Sequence, residues 1–131
     1  MQAKSEMEAI KNLSEKVAEI VESGSNDNGS YIKFADGTMI CILEIEVSDQ
    51  AINLQYGDTA LYTGRRTWTF PAAFTQKPSV TCSQFHWGTS GSWGGVSGKS
   101  LVNTSLVGYD FYQRATGTNV EISAIAIGRW K

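Results

Sequence analysis

The residues of this chain able to do chemistry gather in its second half, between His86 and Arg114. The aromatic side chains Trp87, Trp93, Tyr109 and Tyr112 are interleaved there with His86, Asn103, Asp110, Gln113 and Arg114. That mixture suits saccharide binding. Sugars present apolar C–H faces that stack on indole and phenol rings, and hydroxyls that need planar polar partners. The candidate carbohydrate-binding set is therefore Trp93, Trp87, Asp110, Tyr112, Arg114 and His86. Plainer readings stand beside it: Trp87 as core, His86 as a satisfied strand histidine, and Asp110 with Arg114 as a pair across one strand face. Trp93 is surrounded by Gly and Ser that cannot build a core, so it reads as exposed or inserted at an interface.

Catalysis asks for other parts. Glycosidic hydrolysis uses two carboxylates flanking a cleft. Asp110 is the one acid of this half that lies near aromatic residues, and Glu121 belongs to another strand. The chain has no GxSxG, no Ser/His/Asp order and no P-loop. His86 is the single histidine, and Cys41 and Cys82 show no CxxC spacing. The expectation is a non-enzymatic protein with no catalytic residue, no metal and no cofactor. The two cysteines sit at apolar strand positions and read as buried thiols in preference to a disulfide.

The chain has 131 residues, 41% hydrophobic and 18% charged, with 13 glycines and two prolines, which marks a folded, turn-rich protein. A net charge of −2 without a basic run argues against nucleic acid. The apolar runs are far short of the ~20 residues that cross a bilayer, so no membrane insertion is expected. The N-terminus is charged and amphipathic, unlike a signal peptide.

The elements that must position these residues divide at Asn28. Residues 3–22 read AKSEMEAIKNLSEKVAEIVE, in which Ile10, Leu13, Val17 and Ile20 fill a and d positions of two heptads. Gly24 supplies a stop, and a polar run follows. Three regions are predicted: a coiled-coil stalk helix over residues 1–23, a linker over 24–29, and a β head over 30–131. The head opens with a hairpin, Tyr31–Phe34 and Thr38–Val47, joined at Asp36-Gly37 by what the pair predicts to be a type I′ turn.

Trp68 and Phe70 alternate onto one strand face and read as core. Val80 and Cys82 share one parity and Phe85 and Trp87 the other, which predicts a bulge near Ser83-Gln84. Gly88–Ser100, GTSGSWGGVSGKS, reads as a long mobile loop carrying Trp93. Asp110, Tyr112 and Arg114 share an outward face. Six or seven strands without βαβ spacing give a mainly β protein, an antiparallel β-sandwich. Two strands are apolar on both sides: Met39–Leu43, and Val120–Trp130 with Ile125 and Ile127 opposite Ile122 and Ala124. Such strands are covered on both sides, and a neighbouring subunit is the simplest cover. A homotrimer follows, with Ile10, Leu13, Val17, Ile20, Ile40, Ile42, Ile125 and Ile127 at its interface.

Four segments carry a resemblance: NGSYIKFADGTMIC at 28–41, TWTFPAAFTQKPSV at 67–80, the glycine-rich insertion after it, and the terminal ISAIAIGRWK. Together they resemble the C-terminal domain of bacteriophage tail-fibre and receptor-binding proteins, a small trimeric β-sandwich related to H-type lectins. Ile42-Leu43-Glu44 departs from the Trp or Gly often found after the DGTxIC run, and the stretch 46–62 carries no matching signature. The resemblance implies a virion protein of the distal tail fibre or baseplate, made in the host cytoplasm and joined to other tail proteins through its N-terminal stalk. It implies binding to a host-surface glycan, whether cell-wall polysaccharide, teichoic acid or lipopolysaccharide. A structural tip that only trimerises and registers the stalk is the alternative.

Overall fold

The computed structural model describes residues 5–9, 19–88, 91–117 and 119–131. Nine strands lie among them: β1 (Ile20–Asn26), β2 (Gly29–Phe34), β3 (Thr38–Val47), β4 (Leu54–Gln55), β5 (Tyr62–Thr69), β6 (Ser79–His86), β7 (Ser92–Lys99), β8 (Asn103–Asp110) and β9 (Val120–Arg129). They form two antiparallel sheets, one ordered β1-β2-β3-β9-β6 and the other β4-β5-β8-β7. The expected sandwich is therefore present, with more strands than the turn signals indicated.

The opening hairpin pairs Tyr31 with Cys41 as the alternation requires. Its turn differs in detail. The Gly37 N–H donates to the Phe34 carbonyl at 3.0 Å, and φ is positive at Gly37 (98°) but at neither Ala35 nor Asp36. This is a type I turn closed by a left-handed glycine, a three-residue alternative to type I′. Asp36 Oδ1 accepts the Thr38 N–H at 2.8 Å and fixes the exit.

The doubly apolar strands behave as their parity predicts. On β3, Met39, Cys41 and Leu43 are buried while Ile40 and Ile42 face outward, half-exposed. On β9, Val120, Ile122, Ala124 and Ala126 are buried, whereas Ile125 and Ile127 are 42% and 48% exposed on the outer face. Cross-strand registers align Ile32, Ile40 and Ile127 in one row, and Ile42 and Ile125 in the next. Between the sheets, Trp68, Phe70 and Phe74 pack edge to face with centroids 5.1 Å apart. The Trp68 indole N–H donates to the Asn28 carbonyl, so its one polar group is satisfied. Cys41 and Cys82 are both free thiols, and burial pushes Cys41 up to about 11.

Several expectations need correction. Residues 5–9 are helical, but the chain is already strand at Ile20, which was expected on the heptad seam; Ile10, Leu13 and Val17 lie outside the described residues. Gly24 is not a helix stop, and the expected linker is mostly β1 and its turn into β2. The reason is pairing: β2 offers an open edge, and Ser23, Gly24 and Ser25 take it up opposite Ile32, Tyr31 and Ser30. The segment predicted as a loop at Gly88–Ser100 contains β7, because its glycines lie in a ladder with β8. No bulge interrupts β6, whose register with β9 is continuous from Ser79 to His86. The parity shift has another origin: Gln84 and His86 occupy inward positions and Phe85 faces out.

Glycine also closes one side of the sandwich. β6 and β7 edge different sheets, yet a Cβ at Gly94 would stand 2.9 Å from both the Cys82 carbonyl oxygen and the Gln84 nitrogen. The two backbones meet only because no side chain intervenes. Gly94→Ala should push β7 off β6 and destabilise the fold by about 1–3 kcal/mol. A lower urea midpoint at unchanged slope is the expected readout.

Candidate functional site

Several connections meet at one end of the sandwich, among them residues 48–53 and, of the described residues, those flanking β6–β7 (87–88 and 91) and following β8 (111–117). The opposite end holds the β2–β3 turn and both termini of the β unit. There Ala35 N–H donates to Glu19 O at 2.8 Å, and Trp130 N–H donates to Gly37 O at 2.9 Å. The chain thus enters beside Asp36-Gly37, not at Asn28. The loop-bearing end lies away from this entry.

A buried polar clamp organises that end. His86 and Asp110 are each 0% exposed, and His86 Nδ1 donates to Asp110 Oδ2 at 3.0 Å. Arg114 Nε donates to the same oxygen at 2.6 Å, and Asp110 Oδ1 accepts the Tyr112 N–H at 2.8 Å. A second guanidinium nitrogen, Nη1, donates to the Trp87 carbonyl at 2.8 Å. Backbone bonds complete the stitching: Ile52 and Arg114 exchange both bonds at 2.9 Å, and the Gly117 N–H reaches the Ser48 carbonyl at 2.7 Å. Ile52 itself is fully buried, its δ-methyl set against Gly64 and Gly108. Burial alone would raise the Asp110 carboxyl, but hydrogen bonds from Tyr112, His86 and Arg114 outweigh it and hold the group below the usual range.

His86 and Asp110, expected as sugar contacts, are therefore sealed inside, and Asp110 points inward instead of sharing an outward face with Tyr112. The β8 alternation decides this, since Thr104, Leu106, Gly108 and Asp110 all fall on the buried parity. Arg114 is largely buried with them. Asn103 lies at the far end of β8, bonded to Ser100.

The exposed part of the site is aromatic. Trp93 and Tyr109 are opposite each other on β7 and β8. Their rings stack at 5.5 Å and 13°, and Phe111 meets Trp93 at 5.6 Å and 60°. Trp93 is 40% and Phe111 54% exposed. Glycine makes room for the neighbours: a Cβ at Gly91 would overlap the Phe111 ring, and one at Gly95 would press Tyr109. The three rings form a row on the outer face of the four-stranded sheet. Trp87, 51% exposed, packs edge-on to Phe85 at 5.2 Å, and Tyr112 is exposed. Sequence reasoning did not single out Phe111 or Phe85, and it named Tyr109 among the stacking aromatics but left it out of the candidate set. The signal for the row was the alternation Gly91, Trp93, Gly95, a strand period hidden inside a composition that reads as loop. Among the described residues no group of three or more His, Cys, Asp or Glu could hold a metal ion.

No protein-family model matches the sequence, and no curated protein matches it. Solved structures do. The chain is similar to an N-truncated R1-type pyocin tail fibre, with TM-score 0.56 and 18% identity over 93% of this chain and 94% of that one. It is also similar to a C-terminal part of the R1 pyocin fibre of P. aeruginosa, with TM-score 0.53 and 19% identity over 82% of this chain. It spans 28% of that longer chain. These likenesses show a shared fold of antiparallel sheets.

The clamp predicts an acid-dependent stability. Because the Asp110 carboxyl is depressed by folding, its contribution is complete above the unfolded value of about 3.9 and is lost as pH falls through the folded value. Asp110→Asn strands the Arg114 charge and should cost about 3 kcal/mol at neutral pH. Urea titrations should show the gap between the two proteins closing below about pH 4.

Proposed function

We propose that this chain is the receptor-binding tip of a tail-fibre-type appendage. On this reading it is a homotrimer that binds saccharide on a bacterial surface without altering it, in the manner of a lectin. The observation that carries the reading is the exposed row Trp93–Tyr109–Phe111 at the end away from chain entry. A pre-stacked row of rings has little use in a single chain's own packing, and it offers apolar faces to sugar C–H surfaces. The shared fold with pyocin tail fibres supports the assignment to a fibre and to a virion-like particle. The burial of His86 and Asp110, engaged with Arg114 and with neighbouring groups of the chain, favours binding over chemistry, since a general acid or base must reach its substrate.

The trimer reading rests on the outer face of the five-stranded sheet. Ile32, Ile40, Ile42, Ile125 and Ile127 form a continuous apolar surface there, of the kind that marks an association site. Three copies related by a symmetry axis would bury it and present three aromatic rows. Weak sites would gain avidity in this way.

A glycan array carrying bacterial polysaccharides tests the binding reading. The intact protein should give a signal that Trp93→Ala weakens roughly tenfold, as truncating an interface anchor does. Silence from both proteins on a broad array would leave the structural tip as the better account. Ile125→Glu tests the assembly. The side chain is exposed within one chain, so the variant should fold, and light scattering should report a monomer. An undiminished mass would remove this face from the interface.

A further inference from the structure

We infer that the aromatic row has an anion-reading neighbour, Arg65, and that the site therefore takes an acidic saccharide, one bearing a carboxylate or a phosphate. This rests on the glycan reading above and narrows its chemistry.

The registers place Arg65 on the same outward face as the rings. One row reads Thr63, Tyr109, Trp93 across β5, β8 and β7, and the next reads Arg65, Val107, Gly95. Arg65 starts on β5, yet its Nη1 donates to Ser97 Oγ on β7 at 3.1 Å. The side chain therefore spans β8, which fits the 2% exposure of Val107 on an otherwise outward parity. Its guanidinium is thereby carried past Gly95, against which the Tyr109 ring lies, to Ser97.

The other arginines are paired with acids or lie at the opposite end. Arg66 pairs with Asp49, Arg114 with Asp110, and Arg129 donates to the Asp36 carbonyl. Among the described residues Arg65 donates to a neutral hydroxyl and has no carboxylate within ion-pair distance. A guanidinium has five donors in a fork that matches carboxylate and phosphate oxygens, so most of its capacity faces outward unused. Aromatic rings for the sugar face and a cation held at Ser97, beyond Gly95 on the same sheet face, are the two parts that acidic sugars require.

The test uses the full chain labelled with nitrogen-15. The Trp93 indole N–H and Arg65 Nε–H signals are followed during titration with methyl glucuronide, glucose 6-phosphate and methyl glucoside. At least one acidic probe should half-saturate the Trp93 signal at roughly fivefold to tenfold lower concentration than the neutral one, as expected of an exposed charge-assisted contact. The stronger acid names the source, uronate or phosphate. Arg65→Gln should bring that ratio close to one while leaving the methyl glucoside response in place. Equal responses to acidic and neutral probes, or a preference that survives Arg65→Gln, would overturn the inference and leave the glycan reading standing. A Trp93 signal that moves with none of the three would remove both.

Discussion

One buried carboxylate holds the loop-bearing end together. Asp110 has lost its water entirely, and a lone ionised group in that position would be untenable. It is kept by donors from three directions: the His86 ring on β6, the Arg114 guanidinium, and the Tyr112 backbone beyond β8. Each of these in turn fixes something else. Arg114 passes the restraint to Trp87 through its carbonyl, and Tyr112 sets the departure of the loop that follows. The consequence for the surface is direct. Tyr109 and Phe111 flank Asp110 in sequence, so anchoring the acid inward turns both rings outward by strand alternation alone.

Much of this was legible from residue types, and the failures have physical causes. The opening hairpin, the Trp68–Phe70 core and the outward isoleucines of β3 and β9 follow from a period of two, which the sequence displays openly. β7 was missed because Gly and Ser have low strand propensity and its stability comes from neighbours, chiefly the close approach at Gly94. The strand that begins at Ile20 was missed for the opposite reason: heptad spacing reaches Ile20, whose partner, the free edge of β2, is invisible in the local pattern. At the site, three of the residues expected as sugar contacts, His86, Asp110 and Arg114, prove to be buried or nearly so. His86 and Asp110 look like ligand contacts because they are polar, whereas β6 and β8 carry them on their buried parity. Arg65 gave no local sign at all, since its setting depends on β7 lying two strands away.

The two outer faces have different characters. The five-stranded sheet shows isoleucines over its middle and acids toward the loop end, where Glu46 stands directly opposite Glu121. Like charges so placed repel, which discourages close approach at that end while the apolar rows favour it lower down. The four-stranded sheet shows rings, hydroxyls and an arginine without an acid partner. On the proposed reading one sheet serves the assembly and the other its target. The clamp at their common end keeps both in fixed relation.

The place where the chain enters has a mechanical meaning. Ile20 pairs with Phe34 beside the entry end, and β1 runs from there toward Asn26, paired with Gly29. A tether pulling on the N-terminus, with the far end held by a surface, loads β1 lengthwise against β2. All the rungs of that ladder then resist the tension together in shear, and none can be peeled open first from the other end. The same connection pulled sideways would unzip rung by rung at far lower force. On the proposed reading, a domain mounted in this way would be strongest along the line on which a particle tugs against the surface it has seized.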